Sequence, residues 1–308
     1  MLPLIIVSSI IFGLIIILLI IEFFLYHLVF YSPKKYQLDD YHSFDNGQYL
    51  TYKETIHQMI DRLRDIPYED AYITSFDKKK LRARVYKNSA SKQVAIMFHG
   101  YRGTAYRDFS GGAYEVISMG LNVILVDERA HGKSKGHTIT FGNREKKDVL
   151  SWIEYAKKTF GDDVEIILVG ISMGGASVLM AAELTPDDIK IVADCPFCTP
   201  KEIINATMMK QKLPTKLLYP FVALAMLIYG RTNLNKSSAY KSVKNSNHQI
   251  LIIHGDSDSI VPYQFSKRLA EENPDKIRYE LFKDADHGMS YLLDKTRYQK
   301  LIKEFIEK

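Results

Sequence analysis

Six short apolar runs, largely unbroken by polar residues, limit what this chain can fold into. They are "VAIMF" (94–98), "NVILV" (122–126), "EIILV" (165–169), "IKIVA" (189–193), "ILIIH" (250–254) and "IRYELF" (277–282). A strand with one wet face alternates apolar and polar residues; a strand covered on both faces, as in a parallel sheet, reads as a continuous apolar run. Helical segments fall between most of these runs, at 144–160, 172–184, 263–273 and from about 290 onward. Strand–helix alternation of this kind predicts a doubly wound α/β sheet with crossover helices on both faces. Upstream, Tyr72, Thr74 and Phe76 alternate, then Leu81, Ala83 and Val85, with "DKKK" between them, which predicts a hairpin. Before the hairpin, Tyr52, Ile56, Met59, Ile60 and Leu63 recur at helical spacing, an amphipathic helix that stops ahead of Pro67.

The N-terminus is of another kind. "LIIVSSIIFGLIIILLI" (4–20) carries no charge, and apolar character persists to about residue 30, interrupted by Glu22 and His27. That is enough for a transmembrane helix, which needs ~20 mostly apolar residues. No Lys or Arg precedes Lys34 and no small-residue cleavage pattern follows, so the segment reads as an uncleaved anchor rather than a signal peptide. Lys34 and Lys35 on its C-terminal flank place the main domain in the cytoplasm by the positive-inside rule. The chain then divides into a membrane helix (1–31), a linker with the amphipathic helix (32–69) and one α/β domain (70–308). About fifty residues separate "ADCPF" from "ILIIH", longer than a compact domain needs, and predict an inserted cap at about 196–247. Within it, 217–229 is apolar nearly all round but too short to cross a bilayer. Three readings stay open for it: a packing helix, the wall of a substrate pocket with Leu217, Phe221 and Leu224 lining it, or a surface dipping into lipid.

Charge and cysteine usage remove other classes. Forty-one basic residues against 36 acidic leave a net +5, and they are scattered rather than interleaved with aromatics, which argues against nucleic acid as a partner. A weak attraction to anionic lipid is compatible with the balance. The only two cysteines, Cys195 and Cys198 in "CPFC", exclude a disulfide scaffold. No second pair completes a structural zinc site and no thioredoxin-like helix start follows, so they read as two partly buried thiols after a strand.

The chemistry centres on Gly170-Ile171-Ser172-Met173-Gly174, which runs from an apolar strand into an Ala-rich helix. A serine presented on a tight strand-to-helix turn needs very small residues two positions either side, and the helix N-terminus favours a developing oxyanion. A serine hydroxyl needs a base, and the base an orienting carboxylate. Downstream, "HGDSDSIVP" and "DADHGMS" each follow a predicted strand, where open α/β sheets carry their sites. His287 is the candidate base. Asp258 is the candidate acid, with Asp256 two residues away as a competitor. An oxyanion hole takes two backbone N–H groups. Met173 supplies one by its position after the serine, and Tyr101, in "HGYRG" after the "VAIMF" strand, is the candidate for the other. In "DERAHGKSKGH" (127–137), Asp127, Arg129 and His131 are expected to hold one another and the neighbouring backbone beside the site, without catalytic roles.

With "HGYRG", "DERAHGKS", "GISMGG" and "HGDSDSIVP…DADHG" in this order, the chain resembles the α/β-hydrolase superfamily over roughly 70–308. It is most similar to bacterial serine aminopeptidases and acyl esterases with a small cap. The resemblance implies an α/β-hydrolase fold: a mostly parallel eight-stranded sheet, helices on both faces, a helical cap and here one added N-terminal transmembrane helix. It implies Ser172, Asp258 and His287 as a triad, resolving the choice against Asp256, and Tyr101 and Met173 as oxyanion donors. The expected activity is a serine hydrolase cleaving a hydrophobic, small-molecule acyl ester, with no metal or cofactor. A peptidase or amidase on small peptides is the alternative, and a non-catalytic binding protein on the same fold is the alternative of another class.

Overall fold

The computed structural model describes residues 2–32, 40–42 and 47–307. Lys34 and Lys35, which carry the orientation expectation, lie outside the described residues. Helix α1 (Leu2–Val29) is 28 residues long. Its most apolar 18-residue window has mean hydropathy 3.4 and none of it is buried. At 1.5 Å per residue it is about 42 Å long, more than the ~30 Å hydrocarbon core of a bilayer.

Helices α2 (Gly47–Thr51) and α3 (Lys53–Arg64) follow. Helix α3 forms where the spacing predicts it. Glu54 stands in its first turn and Arg62 and Arg64 in its last, each favourable to the helix dipole, and it ends before Pro67.

The sheet has eight strands: β1 (Glu69–Thr74), β2 (Lys80–Tyr86), β3 (Gln93–Phe98), β4 (Asn122–Asp127), β5 (Glu165–Ile171), β6 (Lys190–Asp194), β7 (Ile250–Gly255) and β8 (Ile277–Phe282). Their spatial order is β1-β2-β4-β3-β5-β6-β7-β8. The β1–β2 and β2–β4 pairings are antiparallel. From β4 to β8 every pairing is parallel. The remaining helices are α4 (Ala105–Phe109), α5 (Gly112–Ser118), α6 (Glu145–Phe160), α7 (Met173–Ala181), α8 (Pro200–Lys210), α9 (Thr215–Ile228), α10 (Ala239–Lys244), α11 (Gln264–Glu271), α12 (Ser290–Leu293) and α13 (Lys295–Ile306).

Alternation along the buried strands divides the core into two layers. In β3, Val94, Ile96 and Phe98 pack with Trp152 of α6, Leu179 of α7 and Val222 of α9. Ala95 and Met97 face the other way, among Ile60 and Leu63 of α3, Val116 of α5 and Phe305 of α13. Ile60 and Leu63 are wholly buried, worth ~1.5–3 kcal/mol each, so α3 is integral to the second layer rather than a tether. This is an α/β-hydrolase fold.

Candidate active site

Ser172 sits between the end of β5 and the start of α7 at φ 53°, ψ −112°, a conformation that side-chain-bearing residues rarely adopt. The glycines explain why the turn closes. A Cβ on Gly170 would lie 2.3 Å from the Gly174 backbone, and one on Gly174 would lie 1.8 Å from the Phe98 carbonyl oxygen. The Ser172 N–H donates to the Asp194 carbonyl at 2.8 Å, which ties the elbow to β6.

His287 follows β8, and its Nδ1 lies 2.7 Å from Asp258 Oδ2. Asp258 follows β7 and is held from all sides. Its Oδ1 accepts the Ile260 and Val261 N–H groups at 2.8 and 2.7 Å. Its Oδ2 also lies 3.1 Å from His254 Nε2. Burial works against its charge, yet His287 and His254 hold the carboxyl well below the usual carboxylate range. Burial likewise opposes a charged His287, but the charge and hydrogen bond of Asp258 outweigh it and raise the imidazole above its ordinary value. Asp256 is engaged elsewhere, its Oδ1 accepting the Asp284 N–H at 2.7 Å.

Ser172 and His287 line one cavity, but no hydrogen bond joins their side chains. His287 Nε2 instead meets Cys195 Sγ at 3.9 Å. Serine–histidine bonds of this kind are often long without substrate and tighten when it binds. Both cysteines are free and fully buried, not partly buried as expected from sequence.

The loop after β3 is arranged around one N–H. The Gly100 N–H donates to Asp108 Oδ2 at 2.8 Å and the Arg102 N–H to His131 Nε2 at 3.0 Å. The N–H of Tyr101, between them, has no acceptor among the described residues, nor has that of Met173. A Cβ on Gly100 would stand 3.4 Å from Ser172 Cβ, so this loop passes directly by the serine. His131 is neutral, burial pushing its imidazole down to about 3, as an acceptor for Arg102 must be. Asp127 and His131 hold the neighbouring backbone as expected, Asp127 accepting the Lys133 N–H at 3.0 Å and His131 Nδ1 lying 2.8 Å from the Arg129 carbonyl, but the three side chains do not pair with one another. Asp127 pairs with Arg82 and Arg84, and Arg129 with Asp148 and Asp77. The physical reason is that β2, the turn before it and α6 bring longer-range opposite charges closer than neighbours along the loop.

The cavity at Ser172 measures about 290 Å³ and is lined by Tyr49, Met59, Met97, Val169, Val192 and Ile302, among others. Leu217, Phe221 and Leu224 are not among its walls, which corrects the pocket expectation. Helix α9 turns Tyr219, Val222 and Met226 into the core and leaves Leu217 and Phe221 exposed. The wall comes instead from α3, α5 and α13. Asp194, at the end of β6, also borders the cavity. Burial pushes its carboxyl up to about 6, against a hydrogen bond from Tyr298 Oη at 3.0 Å.

Sequence reasoning missed the segment that holds the histidine loop. Tyr49 Oη donates to the His287 carbonyl at 2.6 Å and Gln48 Nε2 to the Asp284 carbonyl at 2.6 Å. Gln48 Oε1 accepts the Asp286 N–H at 3.0 Å. These residues lie more than two hundred positions before the loop they clamp, and nothing local marks them. His254 was legible as the first residue of "HGDSD", but its bond to Asp258 was not.

A profile of the prolyl oligopeptidase family matches residues 109–308, spanning the serine, the aspartate and the histidine. The chain belongs to the prolyl oligopeptidase family. Over 194 residues this family member is 26% identical to the uncharacterized protein YqkD of Bacillus subtilis, covering 62% of this chain and 64% of that one. Over 124 residues it is 29% identical to the monoglyceride lipase of Mus musculus, covering 39% of this chain and 41% of the lipase. The matched stretch thus spans less than two thirds of either relative. Among solved structures it is similar to the Pyrococcus furiosus esterase Pf2001, with TM-score 0.63 and 25% identity over 80% of this chain and 92% of the esterase.

Proposed function

We propose that this chain is a membrane-anchored serine hydrolase that cleaves acyl esters. Ser172 Oγ attacks the acyl carbonyl carbon while His287 Nε2 takes its proton. The oxyanion is held by the N–H groups of Tyr101 and Met173, in a site where such donors act at full strength. The tetrahedral adduct expels the alcohol, protonated by His287, and leaves an acyl-enzyme. Water, deprotonated by the same histidine, releases the acid. Asp258 holds the imidazole in the tautomer this requires.

The observation that carries the reading is the chain of contacts from Asp258 through His287 to a cavity shared with a serine on a strained elbow. The apolar walls of that cavity favour a hydrophobic acyl group. The lipase and esterase among the relatives support ester chemistry. Membership of the prolyl oligopeptidase family supports the second reading, a peptidase or amidase on small peptides. In the proposed layout α1 is a single-pass anchor, 70–308 is the catalytic domain on the cytoplasmic side, and about 196–247 is its cap.

Labelling of the full-length chain by a fluorophosphonate probe tests the reading. Wild type is expected to label and Ser172→Ala not to; equal labelling of the two, or none of wild type, removes the enzyme reading and leaves a binding protein. Hydrolysis of p-nitrophenyl esters of graded chain length beside aminoacyl-nitroanilides then separates esterase from peptidase. Rates independent of chain length count against the apolar pocket.

A further inference from the structure

Between Glu202 and Asp256 the chain carries seven basic residues and no acidic one. This run takes in α8 from its fourth residue, Ile203, and all of α9. On α9, Leu217, Phe221, Leu224 and Ile228 fall at i, i+4, i+7 and i+11, one stripe of the helix. Leu217 is 63% exposed, and Phe221 and Ile228 are each 37% exposed, while the opposite face is buried in the core. Leu213 extends the stripe just ahead of the helix, 40% exposed. Lys210, Lys212, Lys216 and Arg231 flank it and are exposed. Apolar stripes of this size rimmed by basic side chains mark a contact surface rather than a face left in water.

What covers it follows from its neighbour. The C-terminal end of α9 abuts α1: Tyr229 Oη donates to the Leu19 carbonyl at 2.8 Å, and its ring packs on Phe23 and Tyr26 at 5.7 and 5.8 Å between centroids. Residues 2–21 of α1 carry no charge, are apolar but for Ser8 and Ser9, and are almost wholly exposed, and Glu22 is the first charge after them. The α9 stripe therefore begins where the long apolar helix stops being apolar.

We infer that the α8–α9 pair is a membrane-docking face, with the α9 stripe lying in the boundary between acyl chains and headgroups of an anionic leaflet. The inference rests on α1 spanning that bilayer and is independent of the hydrolase reading. Two features select lipid as the occupant. The stripe is continuous with a helix suited to the bilayer core, and the charged side chains of its own segment, Lys210, Lys212, Lys216 and Arg231, are all basic, complementary to anionic headgroups. Helix α9, about 21 Å long, is too short to cross a ~30 Å core but long enough to lie along its surface. Docked at α1 and at α9, the domain is held in one orientation on the membrane.

The test uses the full chain in vesicles of phosphatidylcholine and phosphatidylglycerol. Phe221→Trp and, separately, Leu217→Trp each add an indole to the single native Trp152, which is fully buried and serves as the reference. Retention after a carbonate wash first establishes that α1 is inserted. The expected result is that lipid brominated on its acyl chains quenches the added tryptophan, while acrylamide in the water reaches it less than in lipid-free denatured chain. Combined Lys210→Glu, Lys212→Glu and Lys216→Glu is expected to lose that quenching in phosphatidylglycerol vesicles; an unchanged response overturns the anionic-leaflet assignment. Retained chain whose added tryptophan is untouched by brominated lipid and open to acrylamide overturns the proposal. Protection from both quenchers that grows with protein density assigns the stripe to a second copy instead, and overturns it equally.

Discussion

The Asp258 carboxylate accepts two backbone N–H groups and faces two imidazoles, more than a group that only steers one histidine would need. Its charge is thereby secured, and with it the basicity of His287. In the proposed mechanism the base works in its neutral form, so kcat/KM is expected to rise with pH through a midpoint above the ordinary 6.5 of imidazole. In Asp258→Asn the raising partner is gone: the limb moves to lower pH and kcat falls by about 10⁴. A pH–rate profile of both proteins checks the direction. Asp194 titrates with the opposite consequence for stability. Its folded value of about 6 lies above the ordinary 3.8, so the protonated form is favoured by folding and stability falls as pH rises across that interval. Asp194→Asn keeps an acceptor for Tyr298 and removes the loss. It is expected to be more stable than wild type above pH 7, by about 3 kcal/mol at most, and equal to it near pH 4; thermal melts at the two pH values decide.

At the level of elements, α2 and α3 do more than connect α1 to the sheet. They cover the second core layer, wall the cavity and clamp the histidine loop. Tyr49→Phe removes one buried hydrogen bond, keeps the ring, and is expected to lower kcat roughly tenfold with KM little changed. If the loop is held well enough without it, steady-state kinetics will show no such split. The helix itself was legible from the spacing of Ile56, Ile60 and Leu63; its grip on His287 was not, because it is a contact between segments more than two hundred residues apart. At α9 less was legible. Its composition left packing helix, pocket wall and lipid contact open, because only packing decides which side of an all-apolar helix turns inward.

Across the whole molecule, the end of α1 is stitched to the loop after β3. Tyr101 Oη donates to the Val29 carbonyl, and Arg102 Nη2 to those of Leu28 and Tyr31. A helix C-terminus leaves its last carbonyls unpaired, and here the loop beside Ser172 supplies their donors. Phe30 is wholly buried against Phe141, whose ring also stacks on Tyr101. Phe30→Ala is expected to cost ~3–5 kcal/mol, read as a lower thermal midpoint in detergent, and to lower kcat as well because the loop loosens. A loss of stability without any change in kcat would separate the end of α1 from the site. The sequence by itself determined the α/β-hydrolase sheet, the serine elbow and the order of its proposed partners. Those depend on short-range patterns: apolar runs, glycines around a turn, and a histidine and an aspartate just past strand ends. Only the tertiary structure decided that Cys195 rather than Ser172 lies against His287 Nε2, which helices wall the cavity, and that the apolar N-terminal helix ends on the loop beside the serine. Each of these is a contact between residues distant in the chain, set by how helices of ambiguous polarity share the two faces of one sheet.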